Sequence, residues 1–394
     1  MLNKFIVNNF KSLVNVTYKP GTVNLLVGVN NSGKTNLCQA LRFFSQTAQK
    51  RAASLMQSWY DAEGPSWVKN VYFDHPTIDL DCVCDLVVDD ETLMFHYFLA
   101  LRSLPIGIGV SDVVVERLQV SGGSFGRSGM TLLENEAGEI RLLNEQRYLK
   151  GEPPDACYYG TTANTNVTML SRLHDSQANQ RAIAFQNYLA DWQYYDLNPH
   201  RLRDDRFDPQ ADALSFDGAN LASTLFNLKN RDERHYRRLI ELVQKVERRL
   251  DALNFTIAGE RIQMELTDAQ DHRFGPASVS NGTLCFMALC YIILNNARQS
   301  SPPLTIVEEP ENSLYVRYLK PLFESIDPTG AGGQYIFTSH SPYFIDLFDI
   351  HLENITLMED RGTYSTLVEP DPAQVRKYLE EMPLGELHFR EMLV

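Results

Sequence analysis

Gly28, Gly33, Lys34 and Thr35 fall in the pattern Gly-x-x-x-x-Gly-Lys-Thr, a spacing suited to gripping phosphate. An apolar run (Val23, Leu25, Leu26, Val27) precedes it and a helical pattern (Leu37, Ala40, Leu41, Phe44) follows, the strand–loop–helix setting the motif requires. Glycines let backbone N–H groups close around phosphate oxygens, and the positive helix end faces the same anion. Lys34 can neutralise β- and γ-phosphates, and Thr35 can offer its hydroxyl to Mg²⁺. A chance glycine-rich turn is the alternative, and both flanks speak against it. Lys34 is expected on an exposed loop, where it supports no core.

Three later stretches hold further chemistry. In "PPLTIVEEPENSLY" the apolar run Leu304–Val307 reads as a strand delivering Glu308 and Glu309 at its C-terminal end, the ligand-facing end of an open parallel sheet. One carboxylate can hold Mg²⁺ through a water and the other can orient or deprotonate an attacking water. Two surface glutamates at a strand end are the plainer reading. "SVSNGTLCFMALC" places Ser280 at the start of a buried helix, either as an anion site or as an ordinary helix cap. "YIFTSHSPYF" reads as another strand, delivering Thr338, Ser339 and His340, an imidazole in reach of a γ-phosphate or a structural histidine.

The elements that must position these groups are partly legible. "KFIVNNFKSLVNVTYKPGTVNLLVG" alternates like two short strands joined through Lys19-Pro20-Gly21. A helix then runs to about Gln46 and weakens through a polar stretch ending near Pro65. "IDLDCVCDLVVDDETLMFHYFLAL" reads as two strands turning at Asp89-Asp90-Glu91, and a meander follows with turns at Gly122-Gly123 and Ala137-Gly138. Beyond residue 165 helical spacing takes over. Phe185, Leu189 and Trp192 mark one helix. Tyr236, Leu239, Leu242, Val243, Val246 and Leu250 share a face of an amphipathic helix near 232–251. Its other side is basic (Arg234, Arg237, Arg238, Lys245, Arg248), either a nucleic-acid contact or a solvated face interleaved with Asp232, Glu233, Glu241 and Glu247. The whole describes an α/β core split by a mixed β and helical insertion.

Composition fits a soluble globular chain of 394 residues, 44% hydrophobic and 22% charged. The net charge of −14 means that any nucleic-acid contact needs a local basic patch. The six cysteines (Cys38, Cys82, Cys84, Cys157, Cys285, Cys290) lack paired CxxC spacing, and no secretory signal is visible, so they read as reduced thiols of a cytoplasmic protein. The longest apolar run, Leu284–Leu294, is too short to span a bilayer.

These motifs in this order resemble the ABC-type ATPase heads of the SMC, RecF and OLD (overcoming lysogenization defect) group of AAA-family ATPases. "FIVNNFKSLVNVTYKPGTVNLLVGVNNSGKTNL" resembles their N-terminal signature and "SVSNGT" their ABC signature. "IVEEPENSLY" resembles the OLD-type Walker B and D-loop, and "FTSHSP" the His switch. "LSFDGANLASTL" and the ending "PLGELHFREMLV" are similar to standalone members. The resemblance implies a P-loop NTPase, ABC-type head in three segments. Residues 1–110 would hold the Walker A part and 111–260 the insertion or lid. Residues 261–394 would hold the signature, Walker B, D-loop and His switch.

The resemblance also implies site roles. Gly28, Asn30, Asn31, Ser32, Gly33, Lys34, Thr35 and Asn36 would bind ATP, and Thr35 and Glu308 Mg²⁺. Glu308 stands where many ABC proteins have Asp. Glu309 would be the catalytic carboxylate and His340 the γ-phosphate sensor. Ser280, Asn281 and Gly282 would meet the nucleotide of a second protomer, with Asn312 and Ser313 in a D-loop crossing that interface. Gln46 and the segment at Asp74-His75 are candidates for the Q-loop.

The expected protein is a Mg²⁺-dependent ATPase that dimerises, or forms a higher even-numbered oligomer, around ATP. It would control a separate effector (a nuclease or toxin) or act on DNA or RNA, in antiphage defence or DNA repair. The segment after His340 is close to the lower limit of about 50 residues for a domain and lacks an acidic nuclease cluster, so no Toprim nuclease is expected there. Two alternatives stand beside this reading: a nucleotide-gated scaffold with little turnover, and the ATP-binding cassette of a transporter. The long insertion and the Asn-Phe-Lys-Ser strand speak against the cassette.

Overall fold

Where the sequence suggested two opening strands there are three: β1 (Leu2–Asn8), β2 (Val16–Tyr18) and β3 (Val23–Val27). β1 and β2 pair antiparallel with Phe5 opposite Tyr18. β3 lies in a different, parallel sheet, so Lys19-Pro20-Gly21 passes the chain from one sheet to the other instead of closing a hairpin. The computed structural model describes residues 1–50, 54–63, 67–73, 75–104, 109–162, 164–174, 177–299, 302–312, 314, 318–323, 326, 332–349 and 351–393. Two compact units form. One combines Met1–Gly21, Gly28–Trp192 and Thr356–Glu369; the other combines Thr22–Val27, Gln193–Ile355 and Pro370–Val394.

The first unit is built on an antiparallel sheet. After β1 and β2 come β4 (Ile78–Val88), β5 (Glu91–Ser103), β6 (Val110–Ser121), β7 (Met130–Glu136), β8 (Glu139–Leu143) and β9 (Tyr158–Thr162). They lie in the order β2-β1-β4-β5-β6-β7-β8-β9. The expected limit at 110/111 therefore falls inside the β5–β6 pair. The β4–β5 turn uses Asp89 and Asp90, both left-handed (φ 52° and 63°), a geometry short acidic side chains tolerate. Strict alternation in β4 buries Ile78, Leu80, Cys82, Cys84, Leu86 and Val88 on one face.

Against this sheet packs the helix Lys34–Thr47, with Phe44 set among Phe5 (ring centroids 5.5 Å), Tyr97 (5.5 Å) and Trp192 (6.2 Å). The Thr168 hydroxyl donates to the Thr47 carbonyl at 2.6 Å and so closes the helix end. The polar stretch after it was expected to be weakly structured, yet Leu55–Glu63 is helical. Trp59 supplies the reason, because its ring is buried edge-on against Phe10 (5.6 Å) and Phe43 (5.3 Å). One large aromatic anchor outweighs the polar residues around it.

The second unit holds the parallel strands β3, β10 (Gln193–Tyr195), β14 (Leu304–Glu308) and β15 (Gln334–Ser339), side by side in the order β10-β14-β15-β3. A separate antiparallel sheet contains β11 (Leu250–Ala258), β12 (Arg261–Asp268) and β13 (Arg273–Phe274). The expected limit at 260/261 falls in its first hairpin turn. β14 and β15 are buried along almost their whole length, as strands covered on both faces are. The helix Asn281–Asn296 is buried along most of its length, as the apolar run predicted. Its last residue ties back to the sheet, with Asn296 donating to Thr305 (2.7 Å) and Tyr335 (3.3 Å).

The amphipathic helix is shorter than its periodicity suggested. It spans Glu233–Gln244, and Leu250 already begins β11. Lys245 is its C-cap and Arg248 sits in the connecting turn, so neither belongs to the helix face. Strand pairing with β12 overrides the helical repeat that Val246 and Leu250 continue on paper.

The C-terminal helix Leu384–Phe389 packs within the second unit. A side chain on Gly385 would collide with the Pro342 carbonyl oxygen, and the Gly385 N–H donates to Asp346 at 2.8 Å. Among the described residues all six cysteines are buried and none is in a disulfide, and no helix is long and apolar enough to cross a membrane. The hairpin β16 (Ile355–Asp360) and β17 (Ser365–Val368) completes the strands.

Phe44→Ala should remove the aromatic ring on which the helix Lys34–Thr47 rests. The expected cost is about 3–5 kcal/mol, the range for emptying a buried aromatic site. A urea titration followed by the fluorescence of Trp59 and Trp192 reads it; an unmoved midpoint would show that the cluster is not what seats the helix.

Candidate nucleotide-binding and hydrolysis site

The phosphate loop leaves β3 at Gly28 and enters the helix at Lys34. Both motif glycines answer to close neighbours. A Cβ on Gly28 would lie 2.5 Å from the Met358 carbonyl oxygen and 2.5 Å from Ser32 Oγ. Gly33 has φ +104°, and a Cβ there would lie 2.5 Å from Ser365 Oγ. The Ser365 hydroxyl donates to Ser12 Oγ at 2.7 Å, and the Asn36 amide donates to the same oxygen at 2.7 Å. Ser12, in the Asn-Phe-Lys-Ser stretch, is thus the point where the loop helix and β17 are pinned together.

Gly33 caps the helix without a side-chain acceptor, and no acidic residue occupies the first turn. The first amides of the helix are left to an anion or to water. Val29, Asn30, Asn31 and Thr35 are exposed; Ser32 is buried, and its hydroxyl has no hydrogen-bond partner among the described residues. Lys34 is not the exposed residue expected. It is 6% exposed, and its ammonium donates to the carbonyls of Gly28 (2.6 Å) and Val29 (3.1 Å). These features fit a phosphate group: a cradle that any side chain would fill, a buried ammonium and an orphaned hydroxyl.

The carboxylates stand at the end of β14. Glu308 lies opposite Thr338 of β15 and accepts a hydrogen bond from the Tyr194 hydroxyl at 2.9 Å. Glu309 follows in the left-handed region (φ 41°), a strained conformation for a side chain of its kind. Its N–H is anchored on Thr338, 3.1 Å from the hydroxyl and 3.2 Å from the carbonyl. Its carboxylate is held from both sides: Asn312 donates to Oε2 at 2.8 Å, and His340 Nδ1 lies 3.1 Å from Oε1. The structure therefore joins Glu309 and His340, which the sequence offered separately, into one hydrogen-bonded set with Asn312. Ser313 lies outside the described residues.

Tyr194 and Asn312 gave no sign of these contacts in the sequence; Tyr194 sits on a short strand far from the motif it serves. Glu311 was missed as well. It is nearly buried beside Ser339, and burial raises its carboxyl above the ordinary range, with the Glu309 charge adding to the effect.

Ser280 caps the helix Asn281–Asn296, accepting from the Thr283 N–H at 3.0 Å. Ser280 and Asn281 are exposed at this helix start and Gly282 half-buried, an arrangement that serves a cap and a second-protomer contact equally. Of the Q-loop candidates, Gln46 lies in the last turn of the loop helix with its amide oxygen buried and unpartnered among the described residues. His75 is tied to Thr77 at 2.9 Å, and Asp74 lies outside the described residues.

The basic face is partly neutralised. Arg237 pairs with Glu233 (2.6 Å) and Arg238 with Glu241 (3.0 Å), and together with Arg234 they line a surface cleft of about 600 Å³. Among the described residues no cluster of three or more His, Cys, Asp or Glu could cage a metal. Magnesium, which keeps waters and substrate phosphates in its shell, does not require one. Thr35 and Glu308 supply oxygen donors of the right kind.

Family models match the chain in two blocks. One described as "AAA ATPase domain" covers residues 1–147. One described as "AAA domain, putative AbiEii toxin, Type IV TA system" covers residues 161–346. No curated protein matches the sequence. Among solved structures, an SMC head bound to the C-terminal winged-helix domain of ScpA is similar with a TM-score of 0.53 and 12% identity, covering 95% of this chain and 99% of that one. An SMC head domain from Thermotoga maritima has a TM-score of 0.40 and 11% identity over 94% of this chain and 99% of its own. An Smc head with an extended coiled coil, bound to the C-terminal domain of ScpA and derived from Pyrococcus furiosus, has 0.44 and 13% over 96% and 98%. At such identity the first likeness speaks for the fold, that of a P-loop ATPase head. Both halves of the chain thus match AAA domains, one block in each, on a fold similar to that of an SMC ATPase head.

Proposed function

We propose that the chain is a cytoplasmic, Mg²⁺-dependent ATPase whose heads dimerise around ATP and whose cycle regulates a separate effector, nuclease or toxin, or acts on nucleic acid. The hydrogen-bonded set Asn312–Glu309–His340 at the end of β14 carries this reading, because a phosphate loop alone binds nucleotide without consuming it. The description of the model matching 161–346 names a putative toxin of a type IV TA system, which favours defence over repair.

Gly28 to Asn36 would wrap the phosphates, with Lys34 opposing their charge. Thr35 and Glu308 would hold Mg²⁺, with Tyr194 fixing the Glu308 carboxylate. When bound, the ion neutralises phosphate charge and fixes the phosphates' geometry. Glu309 would take the proton of the attacking water as its oxygen bonds to the γ-phosphorus and the bond to the β-phosphate oxygen breaks, releasing ADP and phosphate. His340, oriented by Glu309 through Nδ1, would present Nε2 to the γ-phosphate. Ser280, Asn281 and Gly282 would complete the site of a partner head, and Arg234, Arg237 and Arg238 on the helix, with Lys245 and Arg248 just beyond it, would contact nucleic acid. A scaffold that binds ATP with little turnover is the second reading, favoured by the half-exposed Glu309–His340 pair; phosphate release separates the two.

Lys34→Ala should abolish ATP binding, since it removes the main cation at the phosphates. It also strips the Gly28 and Val29 carbonyls of their donor, so a stability loss of about 1–3 kcal/mol should accompany it while the fold persists. Calorimetric titration and thermal melting measure both; undiminished affinity would remove the loop from nucleotide binding.

Ser280→Arg should leave each monomer able to bind ATP but block close approach of a second head, so hydrolysis should vanish. Normal turnover in this variant would reduce Ser280 to a plain helix cap.

Glu309→Gln keeps the shape and the contact to Asn312 but is too weak a base to accept a proton. The variant should bind ATP, fail to release phosphate and accumulate a dimer that wild type shows only transiently. Light scattering after size exclusion, with and without nucleotide, reports the assembly. Turnover at the wild-type rate would shift the catalytic role from Glu309 to Glu308.

A further inference from the structure

Glu311 lies in the turn after β14, two residues past Glu309, and has no part in the roles assigned above. The residue is only 9% exposed. Its Oε1 accepts a hydrogen bond from the Ser339 hydroxyl. Its Oε2 is buried and unpartnered among the described residues. Ser339 Oγ also accepts from the Ser341 N–H at 3.0 Å, so the hydroxyl is held from both sides.

The geometry sets two rungs side by side between the turn and the end of β15. Glu309 to His340 is one, at 3.1 Å, and Glu311 to Ser339 is the other. Ser339 and Ser341 flank His340 in the chain, and Glu309 and Glu311 flank Pro310. The outer rung is half-exposed and open to water. The inner rung is buried, where a hydrogen bond is electrostatically stronger.

We propose that Glu311 is a positioning residue for hydrolysis: through Ser339 it clamps the turn after β14 to the end of β15 and so fixes Glu309 against His340. The role rests on the ATPase reading given above. The clamp accounts for a carboxyl in so dry a place, and for how Glu309 is kept at φ 41°, since a strained backbone persists only where its surroundings over-determine it. Burial and the neighbouring Glu309 charge both favour the protonated carboxyl, whose shape and neutrality an amide reproduces; His340 is the facing group that opposes them.

The test compares purified wild type with Glu311→Ala, Glu311→Gln, Ser339→Ala and the double alanine variant, by phosphate release, nucleotide titration and thermal melting. Glu311→Ala and Ser339→Ala should each lower kcat by about a hundredfold, the scale of a misplaced catalytic group. Nucleotide affinity should hardly move, since the phosphate contacts remain. The double variant should be no worse than either single one, because both remove the same rung. Glu311→Gln should restore most of the rate. Wild-type kcat in Glu311→Ala, or a Gln variant as slow as the Ala variant, overturns the clamp. So does a parallel fall of kcat, affinity and melting temperature, which marks a merely structural residue. A wild-type chain that releases no phosphate overturns the ATPase reading itself, and the clamp with it.

Discussion

The parallel register of β3, β15 and β14 is the constraint on which the second unit depends. Leu26, Thr338 and Glu308 stand in one line across the sheet, and Val27 faces Ser339 one step later. The candidate site residues of this unit begin beyond that line: Glu309 after β14 and His340 after β15. Because these strands are buried on both faces, a slip of one residue would turn core side chains into the space of their neighbours. The sheet fixes the starting points, and the turns need only aim the last few atoms.

Those last atoms were the least legible part of the sequence. Strand runs, the Asp89-Asp90 turn and the Ala137-Gly138 turn announced themselves because alternation and turn chemistry are local. The motif residues were legible for the same reason, as short patterns with a known physical purpose. The contacts that orient them are not local. Met358 and Ser365, which make Gly28 and Gly33 necessary, come from the far end of the chain. Tyr194 reaches Glu308 from another strand, and a tyrosine in "QYYDL" carries no mark of it. Local periodicity also failed where tertiary packing outvoted it: Trp59 seats a helix in a polar stretch, and β12 claims Leu250 for a strand.

Buried acids in the first unit show what a purely structural carboxyl looks like. Glu116 accepts from the Met169 and Leu170 amides, the Tyr97 hydroxyl and the Asn135 amide, so burial is met by a full set of donors. Glu145 accepts from the first amides of the helix Gln180–Ala190, and burial still lifts its carboxyl to about 7. Among the described residues Glu311 has one side-chain donor, Ser339, where Glu116 has four donors, although it sits in a comparably dry place. Stability alone would favour an apolar side chain at that position.

The close approach of Gly385 to Pro342 makes the C-terminal helix and the strand end that bears His340 a single mechanical piece. With no room for even a methyl group between them, a displacement of the helix is passed to Pro342 without slack, and from there across Ser341 to the imidazole. Phe389 closes the same helix and stands 75% exposed, so the helix can be gripped from solvent. A grip on that ring would be a lever whose short arm ends at His340, and its stiffness comes from a missing side chain.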